Sequence, residues 1–414
     1  QFGFFLHLER FRDSALLPLP TGDILRPSPA LLCAVYLWGA HLSHSQPLLE
    51  MTFTFLRRAQ QYISTEVSTN TSSASLLHTI QAQVLLSSYF FANKRFLEAQ
   101  LHANGAATLA VGYKLHKIRS TRPDSPTGLD GSPILEIYLP PPQDAVEEGE
   151  RIRGFWVVAC LQSKLNLAMS CASSINSSLL EFAGSDIDTP WPMEMSDYEG
   201  GAFSPTYLGA DTVGKFLVDE PARNGPTSAL HAQASILLHR ASRCAAKWST
   251  NLPPDEFSSY MTSYTWLDAR ITNFWRTLPT VYLSDDRTLV LTHALVAAAS
   301  IRINRQTAAV DPEAQEKCLL AARSILQCLG NHSVPDLTYA DPVVGPVYSM
   351  ACSVLLDEIR SAQKVRADWA QTLSMNVPAS EDETALLVDL QHGISTMTMY
   401  AAGSPLVGEI SISS

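Results

Sequence analysis

Apolar residues along this chain recur at steps of three and four far more often than at steps of two. Val158, Leu161, Leu165, Ala168 and Ala172 fall on one stripe of a helix. Leu77, Ile80, Val84 and Phe91 make an earlier stripe, and the segment 30–42 is apolar nearly all round. The segment 96–115 is rich in Ala and Gly, whose small side chains let helix backbones approach closely. The second half repeats the pattern. Leu230, Ala234, Leu237, Ala241, Ala245 and Trp248 form one stripe, and Phe257, Met261, Tyr264, Leu267, Ile271 and Phe274 form the next. Start signals agree with these assignments: Ser28-Pro29 and Asp311-Pro312 open helices, and Ser380 to Glu383 is a capping box. No run of alternating strands competes. The pattern predicts an all-α fold, a large multi-helical domain of roughly twelve to fifteen helices.

Two stretches break the period. The segment 117–143 is polar and proline-rich and ends in Pro140-Pro141-Pro142, which predicts a mobile insertion that folding does not need. The segment 183–225 is irregular and glycine-containing. It suggests a boundary between two helical lobes, 1–199 and 200–414, each with its own helices.

Composition narrows the function. With 414 residues, 46% hydrophobic and 17% charged, the chain can bury a large core. Lys and Arg number 29 and Asp and Glu 40, a net charge of −11. A chain so acidic, without a basic stripe, is not built to hold nucleic acid by itself. No apolar run reaches the length of a membrane span, so no membrane partner is expected. The seven cysteines are scattered singly, which fits a reducing compartment and no structural zinc or other cofactor in this chain. The chain opens at Gln1 in what reads as mid-domain sequence, so an upstream segment is expected.

Candidate chemistry is sparse. Asp186-Ile187-Asp188-Thr189 matches a phosphotransferase D-x-D-x-T motif, but that chemistry needs a hydrophobic strand before the first Asp, and Ala183-Gly184-Ser185 stands there. The expected role of these aspartates is to cap a turn or to pair with Arg151 or Arg153. His41 and His44 sit at i, i+3 near a helix end without an evident third ligand. Asp285-Asp286 precedes a helix, where capping is expected. Trp156, Trp191, Trp248, Trp266 and Trp275 are candidates for a pocket or for plain core.

One ordered set of motifs carries more. Glu150, Arg151, Arg153, Phe155 and Trp156 open a helix; Asp186, Asp188, Trp191 and Pro192 follow about thirty residues later, and Gly112-Tyr113-Lys114-Leu115-His116 precedes both. This order resembles the regulatory (middle homology) domain of fungal binuclear zinc-cluster transcription factors. Many members carry Asp-Arg where this chain has Gln162-Ser163, so the role of those charges does not carry over.

The resemblance implies a nuclear regulatory domain that senses a small-molecule effector, a co-regulator or the transcription machinery. It implies further that zinc and DNA contacts belong to an upstream segment. Arg151, Arg153, Phe155, Trp156, Gln162, Asp186, Asp188 and Trp191 would be its structural or pocket-lining residues. Two rivals stand beside it. An enzyme or ligand-shaping protein reusing the fold would show a pocket with converging polar groups, and an interaction scaffold would show an apolar groove instead. Charge alone yields a test: the isolated chain should retain no DNA in a gel shift at physiological salt, and a sequence-specific nanomolar complex would contradict the reading.

Overall fold

The computed structural model describes residues 3–43, 45–69, 73–121, 139–169, 179–182, 187–204, 206–219, 225–249, 251–281, 286–330, 341–373 and 378–401. Across these the chain is all-α. The helices of the first half are α1 (Leu8–Ala15), α2 (Pro29–His41), α3 (Gln46–Glu50), α4 (Thr52–Thr69), α5 (Ser73–Ala92), α6 (Phe96–Gly112), α7 (Ala145–Met169) and α8 (Leu179–Phe182). Those of the second half are α9 (Met195–Glu199), α10 (Thr212–Val218), α11 (Thr227–Ala246), α12 (Pro254–Thr277), α13 (Arg287–Asn304), α14 (Pro312–Gly330), α15 (Val344–Leu373) and α16 (Glu381–Ala401). A 3₁₀ turn covers Leu115–Lys117. Among the described residues the only strand-like pairing is one isolated bridge between Ser120 and Gly209.

The start signals act as their chemistry requires. Ser28 Oγ accepts the Leu31 N–H at the head of α2. Glu66 of α4 reaches the same helix end, where it accepts the Ala30 N–H at 2.9 Å and the Thr79 hydroxyl at 3.0 Å. Asp286 accepts from the Thr288 and Leu289 N–H groups and so caps α13, as expected for a carboxylate at that place. Ser380 does the same for α16 through the Glu383 N–H.

Several boundaries differ from the sequence pattern. The apolar spacing of 48–63 reads as one helix, yet the chain divides at Met51 into α3 and α4, and α4 runs on to Thr69. Residues 3–7 precede α1 without helix, and buried Gln81 binds their backbone from both sides: Gln81 Oε1 accepts from the Phe5 N–H and its amide donates to the Gly3 carbonyl. The irregular stretch 183–225 contains α9 and α10.

Helix α7 lies at the centre. It packs on α5 and α6 to one side, on α11 to the other, and on α9 near its start. One continuous apolar core runs from Phe5 to Met397. Within the second half, α13 packs on α11, α12, α14 and α15 and is buried nearly all round, with Ala297, Ala298 and Ala299 at its middle.

Two glycines let neighbours reach the α7 backbone. A Cβ at Gly154 would stand 3.0 Å from the Phe5 ring, and one at Gly149 would stand 2.6 Å from the Tyr198 ring. Tyr198 is 1% exposed, so its ring has nowhere to retreat. Gly149→Ala should therefore destabilise the chain by about 1–3 kcal/mol through overpacking. Gly39→Ala, within α2 and with no atom inside 4 Å of the new carbon, should instead be neutral or stabilise by up to about 1 kcal/mol. Urea unfolding of both variants checks the contrast.

Candidate functional site

The two motif segments meet. The Trp156 indole N–H donates to the Pro190 carbonyl at 2.7 Å, and the Trp156 and Trp191 rings stack at 4.6 Å. Trp191 in turn meets Phe216 of α10 edge-on, and Phe216 meets Phe274 of α12. Phe155 is fully buried and stands edge-on to Trp156. A ladder of aromatic rings thus runs from α7 through the 187–194 segment to α10 and α12.

Asp188 is fully buried and works as a latch. One carboxylate oxygen accepts the Ser120 hydroxyl at 2.6 Å and the Lys117 ammonium at 3.2 Å; the other accepts the Asp211 N–H at 2.7 Å. Burial alone would raise its pKa. Ser120, the Asp211 N–H and Lys117 outweigh burial and hold the carboxyl below its usual range. Gly209 is required opposite it, since a Cβ there would fall 1.8 Å from the Asp188 carbonyl oxygen. Of the two roles expected, capping a turn or pairing with Arg151 or Arg153, Asp188 takes a backbone N–H as a cap does, and the cation beside it is Lys117 and not an arginine of α7. Lys117 arrives first because the 3₁₀ turn ends beside Asp188, with the Asp188 N–H donating to the His116 carbonyl. Asp186 lies outside the described residues, as does 122–138 of the insertion expected over 117–143. The first residues of that insertion are fastened: Arg119 pairs with Glu148 of α7 at 2.6 Å.

The two arginines part company. Arg151 is 5% exposed and pairs with Glu147 one turn back at 2.7 Å. Arg153 donates to the Met193 carbonyl at 3.3 Å, with Glu194 3.8 Å away. Gln162 is buried. It donates to Asn104 of α6 and accepts the Leu179 N–H that opens α8. A neutral amide suits that place, because it must donate on one side and accept on the other.

Beside the ladder lies a cavity of about 570 Å³. Its long wall is one face of α7: Arg153, Trp156, Val157, Cys160, Leu161 and Lys164. The end members stand eleven positions apart, about 16 Å along a helix axis. Phe4, Val84 and Phe91 face this wall, and the starts of α11 and α13 close the far side with His231, Asp286, Arg287 and Leu291.

The middle of the wall is apolar and its ends are charged. At one end Arg153 stands with Glu194, whose carboxylate also accepts the Ser228 N–H. At the other, Lys164 pairs with Asp341 at 2.8 Å, both largely buried. His231 sits near Lys164, and burial together with that charge drives its pKa well below the usual histidine value, so the imidazole is neutral. The Thr292 hydroxyl gives its proton to the Thr288 carbonyl at 2.7 Å, so His231 Nδ1 donates to Thr292 and Nε2 is the acceptor. Burial raises the Cys160 thiol, which therefore stays protonated and is a poor nucleophile.

Sequence reasoning found Arg153 and Trp156 but missed Val157, Cys160, Lys164, His231 and Asp341. Val157 through Lys164 follow the helical steps of three and four from Arg153, so that signal was legible as a second stripe. Asp341 and His231 carried none, because only the fold brings them near α7. His41 is described but His44 is not, and no cluster of three or more metal-ligating side chains occurs among the described residues. No helix among them is long and apolar enough to cross a membrane. Comparisons of the chain with family models, with curated proteins and with solved structures found no match.

Trp156 is 1% exposed and hydrogen-bonded, so Trp156→Ala should cost about 3–5 kcal/mol. Arg151→Ala should cost about 1–3 kcal/mol by removing a largely buried charge-assisted bond to Glu147, more than the 0–1 kcal/mol of an exposed pair. Chemical denaturation of the two variants gives the ranking directly.

Proposed function

We propose that the chain is the regulatory domain of a fungal zinc-cluster transcription factor and that it senses a small molecule in the cavity along α7. The observation that carries this reading is the place of the motif residues. Arg153 and Trp156, singled out by the family resemblance, line a cavity whose volume lies in the ordinary range for small-molecule sites. The ligand that suits its walls has an elongated apolar body with a polar group at each end. One end faces Arg153 and Glu194, the other Lys164, Asp341 and the acceptor nitrogen of His231. In this reading the nucleus is the site of action. Zinc and DNA contacts belong to a separate segment, and co-regulator proteins read out the bound state.

Helix α7 is the natural transmitter. It touches the cavity on one face and the aromatic ladder on the next, so a ligand that orders one face biases the other. The test is transcriptional. Fused to an unrelated DNA-binding domain, the chain should change expression of a reporter in a fungal host. Val157→Trp, which fills the cavity from its long wall, should abolish or lock that response by about tenfold or more while the chain still unfolds cooperatively. A fusion without effect on the reporter, or a Val157→Trp fusion indistinguishable from its parent, would sink the proposal.

A further inference from the structure

The charges around the α7 cavity are not evenly matched. The carboxylates that line it are Glu194, Asp286 and Asp341, and each is already engaged. Glu194 accepts the Ser228 N–H. Asp286 accepts from the Thr288 and Leu289 N–H groups. Asp341 holds the Lys164 ammonium at 2.8 Å and the Val343 N–H at 3.0 Å. A cationic ligand would therefore find no carboxylate without a partner.

The cations divide differently. Lys164 is answered by Asp341. Arg153 is held among the described residues by the Met193 carbonyl at 3.3 Å and Glu194 at 3.8 Å, both long for contacts of a guanidinium. Both distances belong to one terminal nitrogen, which leaves the second without an acceptor. The Arg153 Nε is enclosed, so a ligand would meet the terminal nitrogens. Arg287 also lines the cavity. It is exposed and carries no hydrogen bond or ion pair among the described residues. A guanidinium with open donors suits a carboxylate, which is anionic at neutral pH.

The other end calls for a different group. His231 gives its Nδ1 proton to Thr292 and offers the Nε2 acceptor. A second carboxylate would find no donor in that neutral ring and would stand beside Asp341. A hydroxyl has no such conflict. It can donate to Nε2 and accept from Lys164, since an ammonium has three donors.

We propose, on the reading that this cavity is a ligand site, that its ligand is a long-chain hydroxy acid. Its carboxylate meets Arg153, its apolar body lies along Val157, Cys160 and Leu161, and its hydroxyl meets His231. An extended chain advances roughly 1.2 Å per bond, so a body of about twelve carbons spans the wall.

The test is calorimetric titration of the whole chain with ω-hydroxydodecanoate, dodecanoate, dodecanediol and dodecylamine, each below the concentration at which it self-associates. The hydroxy acid should bind one-to-one and saturably. Dodecanediol, which lacks the charge, should bind about tenfold more weakly, and dodecanoate, which lacks the hydroxyl, several-fold more weakly. The amine should bind worst. Val157→Trp should abolish binding. Arg153→Gln should erase the preference for the acid over the diol and leave the diol's affinity unchanged, whereas a merely structural role would weaken both. The ligand series on the parent chain decides even where that variant does not fold. Equal binding of acid and diol, a preference for the amine, or no saturable binding by any of the four would overturn the proposal. Acid-selective binding beside a silent reporter fusion would remove the transcriptional reading and uphold the hydroxy acid. A reporter response blocked by Val157→Trp, with none of the four bound, would remove the hydroxy acid alone.

Discussion

The contact on which the rest of the structure depends is the Trp156 indole against the Pro190–Trp191 backbone and ring. A buried indole must place its N–H on an acceptor, and Pro190 supplies the carbonyl at 2.7 Å. That bond fixes the path of the 187–194 segment across α7. Once fixed, Trp191 stacks on Trp156 and presents its edge to Phe216, which carries the packing to Phe274 in α12. Asp188 anchors the other end of the segment to Lys117, Ser120 and the head of α10. The segment has almost no regular structure of its own, yet it joins the motif helix to the C-terminal helices. Its backbone groups are satisfied by the 3₁₀ turn and by Thr212 instead of by a sheet.

The sequence disclosed those parts of the fold that are local. Helical stripes and caps follow from neighbours in the chain, so Ser28, Asp286, Asp311 and Ser380 were readable as helix starts before any tertiary contact was known. The breaks were less readable. Met51 divides a pattern that looked continuous, because nothing in the steps of three and four distinguishes a bend from a helix. The site was half legible. Trp156 and Arg153 stood out through the motif, and the other α7 members lay on a stripe that the buried Val158–Leu161–Leu165 pattern overshadowed. A helix buried on most sides has two stripes to offer, and hydrophobicity alone marks only the drier one. Lys164 drew no notice in the sequence because its partner is 177 positions away. Such a pairing is a product of topology, and no local pattern announces it.

The buried pair Lys164–Asp341 sharpens the contrast between core and cavity. Removing two charges from water costs several kcal/mol per ion, and their attraction returns that only when geometry and further hydrogen bonds are good. Asp341 has such help, since the Val343 N–H donates to it at 3.0 Å. Apolar residues of similar volume would serve stability as well or better at that place. The pair therefore fits a wall that must present charge to the cavity more readily than one that only fills space. His231 supports the same view, because its one donor proton is committed to Thr292 and its ring lies near the Lys164 charge.

Helix α11 borders two concavities, the α7 cavity and a groove against α12. Its first turns supply Ser228 and His231 to the α7 cavity, and its last turns supply Arg240, Arg243 and Lys247 to the groove against α12. Between them the helix is buried through Ala234, Leu237 and Ala241 and is seated on α7 and α13, its two broadest partners. An occupant of the α7 cavity would therefore meet the start of α11 as part of a close-packed element, not as a free end.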